Sequence, residues 1–219
     1  MSASVASGAF EGRAAISSRM VGYTLAMAAA TPSALPAWSV RLVAEFDTLD
    51  RSAQELAAGL TAEQFNWRPS PDKWSIGQCL EHLCITNEAY VPAMRNALAG
   101  QPARDVEEIT PGWFSRWFLR SFVEPSPTSK QVSAPKKILP AASVDLSVVD
   151  RLHRSHQAAR EFVRQAADRD VNRIRFRNPF LPGLRFTIGT GLLLLPSHGR
   201  RHLLQAERVK QSGVFPWQV

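Results

Sequence analysis

An all-α protein built as a four-helix bundle is what three features of the sequence predict. Four segments repeat their apolar residues at steps of three and four, the period of a single buried helix face. No segment gives a comparably strong strand signal. The last of the four carries His198 and His202, two of only five histidines in the chain. That i, i+4 spacing stacks two imidazoles on one helix face, where both can point at a common ion.

The first helix is expected over 37–58, where Leu42, Phe46, Leu49, Ala53 and Leu56 form one stripe and Gly59 supplies the stop. Thr61-Ala62-Glu63-Gln64 reads as a capping box opening a short turn, and Trp67-Arg68-Pro69-Ser70-Pro71 then breaks the chain. A second capping box, Ser75-Ile76-Gly77-Gln78, opens the second helix, which heads for Gly100 and should kink or end early at Pro92.

Residues 101–142 form a long irregular insertion between the second and third helices. Within it, Trp113–Val123 is dense in aromatic rings and reads as a short amphipathic helix. Packing on the protein's own body is the plain expectation for it; a dimer contact or a membrane surface are the others. Residues 125–140 are too rich in proline for regular structure.

The third helix is expected over 143–167, with Val149, Leu152, His156, Ala159, Val163 and Ala166 on its buried face. Residues 172–184, with alternating arginines and then Pro179 and Pro182, read as a partly extended connector. The fourth helix begins near Thr187, runs to about Gln211 and should bend at Pro196, just before the histidine pair.

Composition narrows the function classes. The net charge is +7, but residues 1–150 carry −2 and residues 151–219 carry +9. Such asymmetry suits an anionic ligand, a nucleic acid or an acidic membrane surface, or is simply a solvated arginine-rich face. No nucleic-acid-reading motif accompanies it. Cys79 and Cys84 stand about 140° apart on one helix and cannot pair, which fits a reducing, cytoplasmic location. No apolar run is long enough for a membrane span. Residues 1–36 are read as a disordered or processed extension, with only a weak signal-peptide pattern.

A metal held for chemistry needs about three protein ligands with a position left open. His82 lies on an inward-looking face of the second helix with Cys79, Thr86 and Ala89. By pattern alone a lone histidine there reads as a core residue, though it can be combined with His198 and His202. His156 interrupts an apolar stripe and is the reserve candidate, while His153 looks peripheral. Three imidazoles suit Zn, Ni, Fe or Mn. A zincin protease is disfavoured, because Gly199 stands where His-Glu-x-x-His has its general base.

The segment from Asn66 to Leu83, with its Pro-rich loop, Trp74-Ser75 and His82-Leu83, resembles the signature of the DinB-like superfamily. His198-Gly199-Arg200-Arg201-His202-Leu203-Leu204-Gln205 resembles the family's closing His-x-x-x-His-x-x-Gln motif. The resemblance implies an up-down-down-up bundle over 37–212, followed by a tail at 213–219. It implies one divalent transition metal held by His82, His198 and His202. Gln205, His156, Cys79 and Arg201 are candidates for the surrounding shell or for substrate contact.

Relatives include thiol-dependent S-transferases and metal-dependent hydrolases, so the expected function is activation of a thiol or water on a small-molecule substrate. A low-molecular-weight thiol and a homodimer are the implied partners. The catalytic residues themselves are not legible. A non-catalytic metal-binding or sensing bundle, closed by His156 or Cys79, is the alternative, and a basic nucleic-acid-binding module ranks last.

Overall fold

The helices form where the apolar stripes run. The structure, a computed structural model, describes residues 35–125 and 136–217. The extension read over 1–36 falls outside them except for its last two residues, as does much of the Pro-rich stretch at 125–140. Helix α1 spans Ala37–Ala57 and Gly59 follows it at φ +73°, the left-handed conformation that glycine adopts without strain. Helix α2 is the short turn Ala62–Asn66. Helix α3 spans Ile76–Leu98. Both capping boxes form as expected: the Thr61 and Ser75 hydroxyls accept the amides of Gln64 and Gln78, whose side chains accept from the cap amides in return.

Gly77, in the first turn of α3, lets α2 close over it. A Cβ there would lie 2.7 Å from the ring of Phe65, which is fully buried, and 3.1 Å from Cβ of Val144. Gly77→Ala is therefore expected to lower stability by about 1–2 kcal/mol despite its better helix propensity. A denaturant midpoint equal to or above that of the parent protein would contradict this packing.

Past α3, residues 113–123 form one helical run, α4 (Trp113–Phe118) followed by a π-helical turn at Leu119–Val123. Leu119 and Val123 are buried and the turn packs against the last helix, so the segment does rest on the protein's own body. Trp113 and Trp117, however, point outward. A 3₁₀ turn at Lys136–Ile138 then lies against α3. Ala141 fastens that stretch, its carbonyl accepting from Gln78 and its amide donating to Glu81.

Helix α5 spans Val148–Ala166, starting five residues later than the stripe suggested. The connector after it contains a hairpin, β1 (Arg175–Arg177) paired antiparallel with β2 (Arg185–Thr187). Its alternation buries Phe176 and Phe186 and exposes the arginines. Helix α6 spans Ile188–Lys210.

Pro92 does not bring the early end that was one of its two expected effects: α3 runs on to Leu98. Pro196 sits, as expected, inside an α6 that continues for more than three turns beyond it. Each ring removes one backbone hydrogen bond. Packing of α3 and α6 against both neighbouring helices compensates for that loss.

Helices α1 and α3 each pack against both α5 and α6, so α1 and α3 stand diagonally opposed. Contacts give the directions. Asp47 and Asp50 of α1 meet Arg160 and His153 of α5 in reversed order, so these two run antiparallel. Cys84 meets Val148 and Asn87 meets Ser155, which makes α3 and α5 parallel. Glu45 meets Arg200 and Leu56 meets Lys210, which makes α1 and α6 parallel. Read along the chain, the four helices go up, down, down and up. The tail folds back, with Phe215 buried against Trp67 and the Pro216 carbonyl accepting from Gln64.

Candidate metal centre

Antiparallel packing of α3 and α6 sets the first third of one beside the middle of the other. That register carries His82 to the histidine pair. His82 Nε2 lies 3.2 Å from His198 Nε2, which lies 3.1 Å from His202 Nε2. The three potential ligand atoms all fall within 4.8 Å of one another. Among the described residues no other His, Cys, Asp or Glu joins this group.

The opposite ring nitrogens decide what the converging ones carry. His82 Nδ1 is 2.8 Å from the carbonyl oxygen of Ile138. A carbonyl only accepts, so this nitrogen holds the proton and His82 Nε2 presents a bare lone pair. His202 Nδ1 is 3.0 Å from Gln205 Oε1, and the same logic leaves its Nε2 bare. Both lone pairs aim at His198 Nε2. A single proton there can satisfy one of them, not both; a cation would satisfy all three. His198 Nδ1 is a buried polar atom with no hydrogen-bond partner among the described residues. Nitrogens sharing a tetrahedral zinc are about 3.3 Å apart, close to the spacings found here. The donor set fits a divalent transition metal.

Burial holds all three imidazoles below the usual value of 6.5. For His198 and His202 the neighbouring rings and the Arg201 guanidinium push in the same direction. The bonds from Ile138 and Gln205 oppose the shift only in part. At neutral pH the rings are unprotonated, the form that binds a metal.

Two groups that the sequence reading did not assign to the site complete it. Trp74 stacks against His202 at 5.6 Å and 27°, and packs on His82 at 4.8 Å. The Ile138 carbonyl arrives from the insertion, 56 residues further along the chain. Trp74 precedes the capping Ser75 and is thus fixed at the helix entrance; its signal in the sequence is its place beside Ser75 in the family motif. Arg201 is half-buried and donates to the Phe122 carbonyl, bridging α6 to the π-helical turn.

The other candidates lie elsewhere. His156 Nδ1 bonds Asp50 at 2.6 Å on the α1–α5 side, where Arg160 and His153 reach the same carboxylate. Cys79 is fully enclosed and burial pushes its thiol well up, so it is no thiolate at neutral pH. Gly199 faces α1: a Cβ there would lie 2.7 Å from Leu49. The place of a zincin glutamate therefore points away from the three rings. A groove of about 710 Å³ between α1 and α6, edged by Arg200, Glu207 and Trp217, includes none of the histidines. Donor chemistry, not volume, marks the site.

Comparison with known proteins bears on the family and the fold. The profile of the DinB superfamily matches residues 45–206. Among solved structures, one from Bacillus subtilis, YfiT, superposes with a TM-score of 0.52 at 12% identity, covering 93% of each chain. It is described as a probable metal-dependent hydrolase with an unusual four-helix bundle topology. At that identity the likeness is one of fold. No curated protein matches the sequence. With the profile spanning well over half of its length, the chain belongs to the DinB superfamily.

Proposed function

We propose that this DinB-superfamily protein is a divalent-metal-dependent enzyme acting on a small-molecule substrate, of the S-transferase or hydrolase type. The observation that carries the reading is the pair of bare Nε2 lone pairs, on His82 and His202, meeting at His198. A core built for packing alone would not aim two bare acceptors at one imidazole nitrogen.

His82, His198 and His202 would hold the ion through Nε2. The bound metal would supply Lewis acidity, drawing a coordinated water or thiol toward its anionic form near neutral pH. The chain's own residues do the rest. The Ile138 carbonyl and Gln205 fix the ring orientations by taking the Nδ1 protons, which also makes the nitrogens better donors. Trp74 covers one side of His82 and His202 and excludes water there. Arg201 supplies a fixed positive charge near the rings, suited to a substrate that carries or develops negative charge.

Three such ligands, with no fourth His, Cys, Asp or Glu beside them among the described residues, would leave a position open, which favours catalysis over a closed structural or sensing site. The test is a screen of the metal-loaded protein, beside a chelator-stripped sample, on ester, amide and electrophilic acceptor substrates with and without low-molecular-weight thiols. Turnover that requires the thiol identifies a transferase; turnover in its absence identifies a hydrolase. Tight metal binding with no turnover in either arm would instead favour the non-catalytic reading.

A further inference from the structure

Two surface features have no role in the metal site, and they are neighbours. The first is the helical run 113–123. Its inner side is held by Leu119, Val123 and Phe118, the last packed on Phe186 at 5.0 Å. Its outer side presents Trp113, Phe114, Trp117 and Phe122, which are 75%, 37%, 50% and 37% exposed. These rings touch one another, largely edge to face, in one knob. That leaves roughly 400 Å² of aromatic surface in contact with water, at the scale where an exposed apolar patch signals binding. Arg116 and Arg120 are interleaved with the rings and exposed, and no acidic residue occurs between 109 and 123.

The second feature is the hairpin that holds Phe186. Arg177 and Arg185 face each other directly in the strand register, and Arg175 lies two residues along the same exposed face. Like charges placed opposite each other destabilise a strand pair. None of the three makes an ion pair among the described residues. The fold gains nothing from this arrangement; an anionic partner would.

We propose that the aromatic run and the arginine hairpin together form a docking surface for an anionic lipid bilayer, with the rings entering the headgroup region and the arginines meeting lipid phosphates and carboxylates. Tryptophan and arginine on a short amphipathic helix are the residues suited to that interface. A second copy of the chain fits less well, because an isologous contact would bring together two patches that each carry Arg116 and Arg120 and no acidic residue. A nucleic acid fits less well too, because the edge-to-face rings offer no parallel slots for stacked bases. The attachment is peripheral: among the described residues no helix is long and apolar enough to cross a membrane. The proposal is independent of the metal and of the reaction.

The test is flotation of the full chain with vesicles of phosphatidylcholine alone and of phosphatidylcholine with phosphatidylserine. The protein should float only with the anionic vesicles, less at high salt, with a blue shift in tryptophan emission. Replacing Arg175, Arg177 and Arg185 by glutamine should weaken binding roughly 100-fold, at about fivefold per juxtamembrane charge. Trp113→Ser with Trp117→Ser should abolish the blue shift while circular dichroism stays that of the parent. No flotation with anionic vesicles would overturn the proposal, as would flotation unchanged in both variants. Binding of a single-stranded oligonucleotide without vesicle binding would reassign the surface to nucleic acid. A dimer in solution that dissociates on loss of the two tryptophans, again without flotation, would reassign it to self-association.

Discussion

Replacing His202 by alanine is expected to weaken divalent-metal binding by about 100-fold or more, since even an outer partner of a metal ligand is worth 10- to 100-fold. The bundle should survive, because the ring lies at the α3–α6 contact and leaves Leu203, Ala206 and Leu195 in the core. Gln205→Ala separates ligation from orientation. It removes only the acceptor for His202 Nδ1, so its loss should be smaller, about 10-fold. Isothermal titration with zinc after chelator treatment measures both. Equal, negligible effects in the two variants would mean that the rings do not share an ion.

Asp50→Ala should be among the most destabilising single changes in the chain, at about 3 kcal/mol. Asp50 is buried on α1 and accepts from His156, His153 and Arg160. Removing it strands the Arg160 guanidinium, itself buried, with only Asp47 at 3.2 Å to compensate. Burial opposes ionisation of Asp50, but the bonds from His156 and Arg160 prevail and hold its carboxyl below the ordinary value of 3.8. The sign follows. A carboxyl depressed in the folded state stabilises at pH values above its unfolded pKa, and that contribution is lost as pH falls through the folded value. The stability gap between parent and variant should therefore be full at neutral pH and shrink below about pH 4. A gap independent of pH down to acid unfolding would show that the carboxylate's charge is not what holds α1 to α5.

Asp50 also shows where the sequence misleads. It falls among the polar residues that fill the rest of α1, yet it is buried, because His156 and Arg160 of α5 come to it from more than 100 residues away. His156 breaks an apolar stripe for the same reason: its ring has a carboxylate partner that no local pattern reveals. What local chemistry governs was legible, namely the four stripes, both capping boxes, the glycine stop after α1 and the i, i+4 pair on α6. Pairings between distant elements were not. His82 looks like a core histidine until α3 is laid against α6, and only the family motif pointed to it. Trp74 and the Ile138 carbonyl complete the site through contacts that spacing cannot encode. Pro92 misled in the opposite sense where it suggested an early end to α3, since tertiary packing outweighs the single hydrogen bond it removes.

The most direct test of the central claim is elemental analysis of the protein purified without a metal-affinity column, together with X-ray absorption at the edge of whatever metal is found. The account predicts about one equivalent of a divalent transition metal, with three imidazole nitrogens at about 2.0–2.1 Å if it is zinc, and loss of that metal in the His82→Ala variant. A folded protein that holds no metal and takes up none when zinc, nickel, iron(II) and manganese are offered would contradict it.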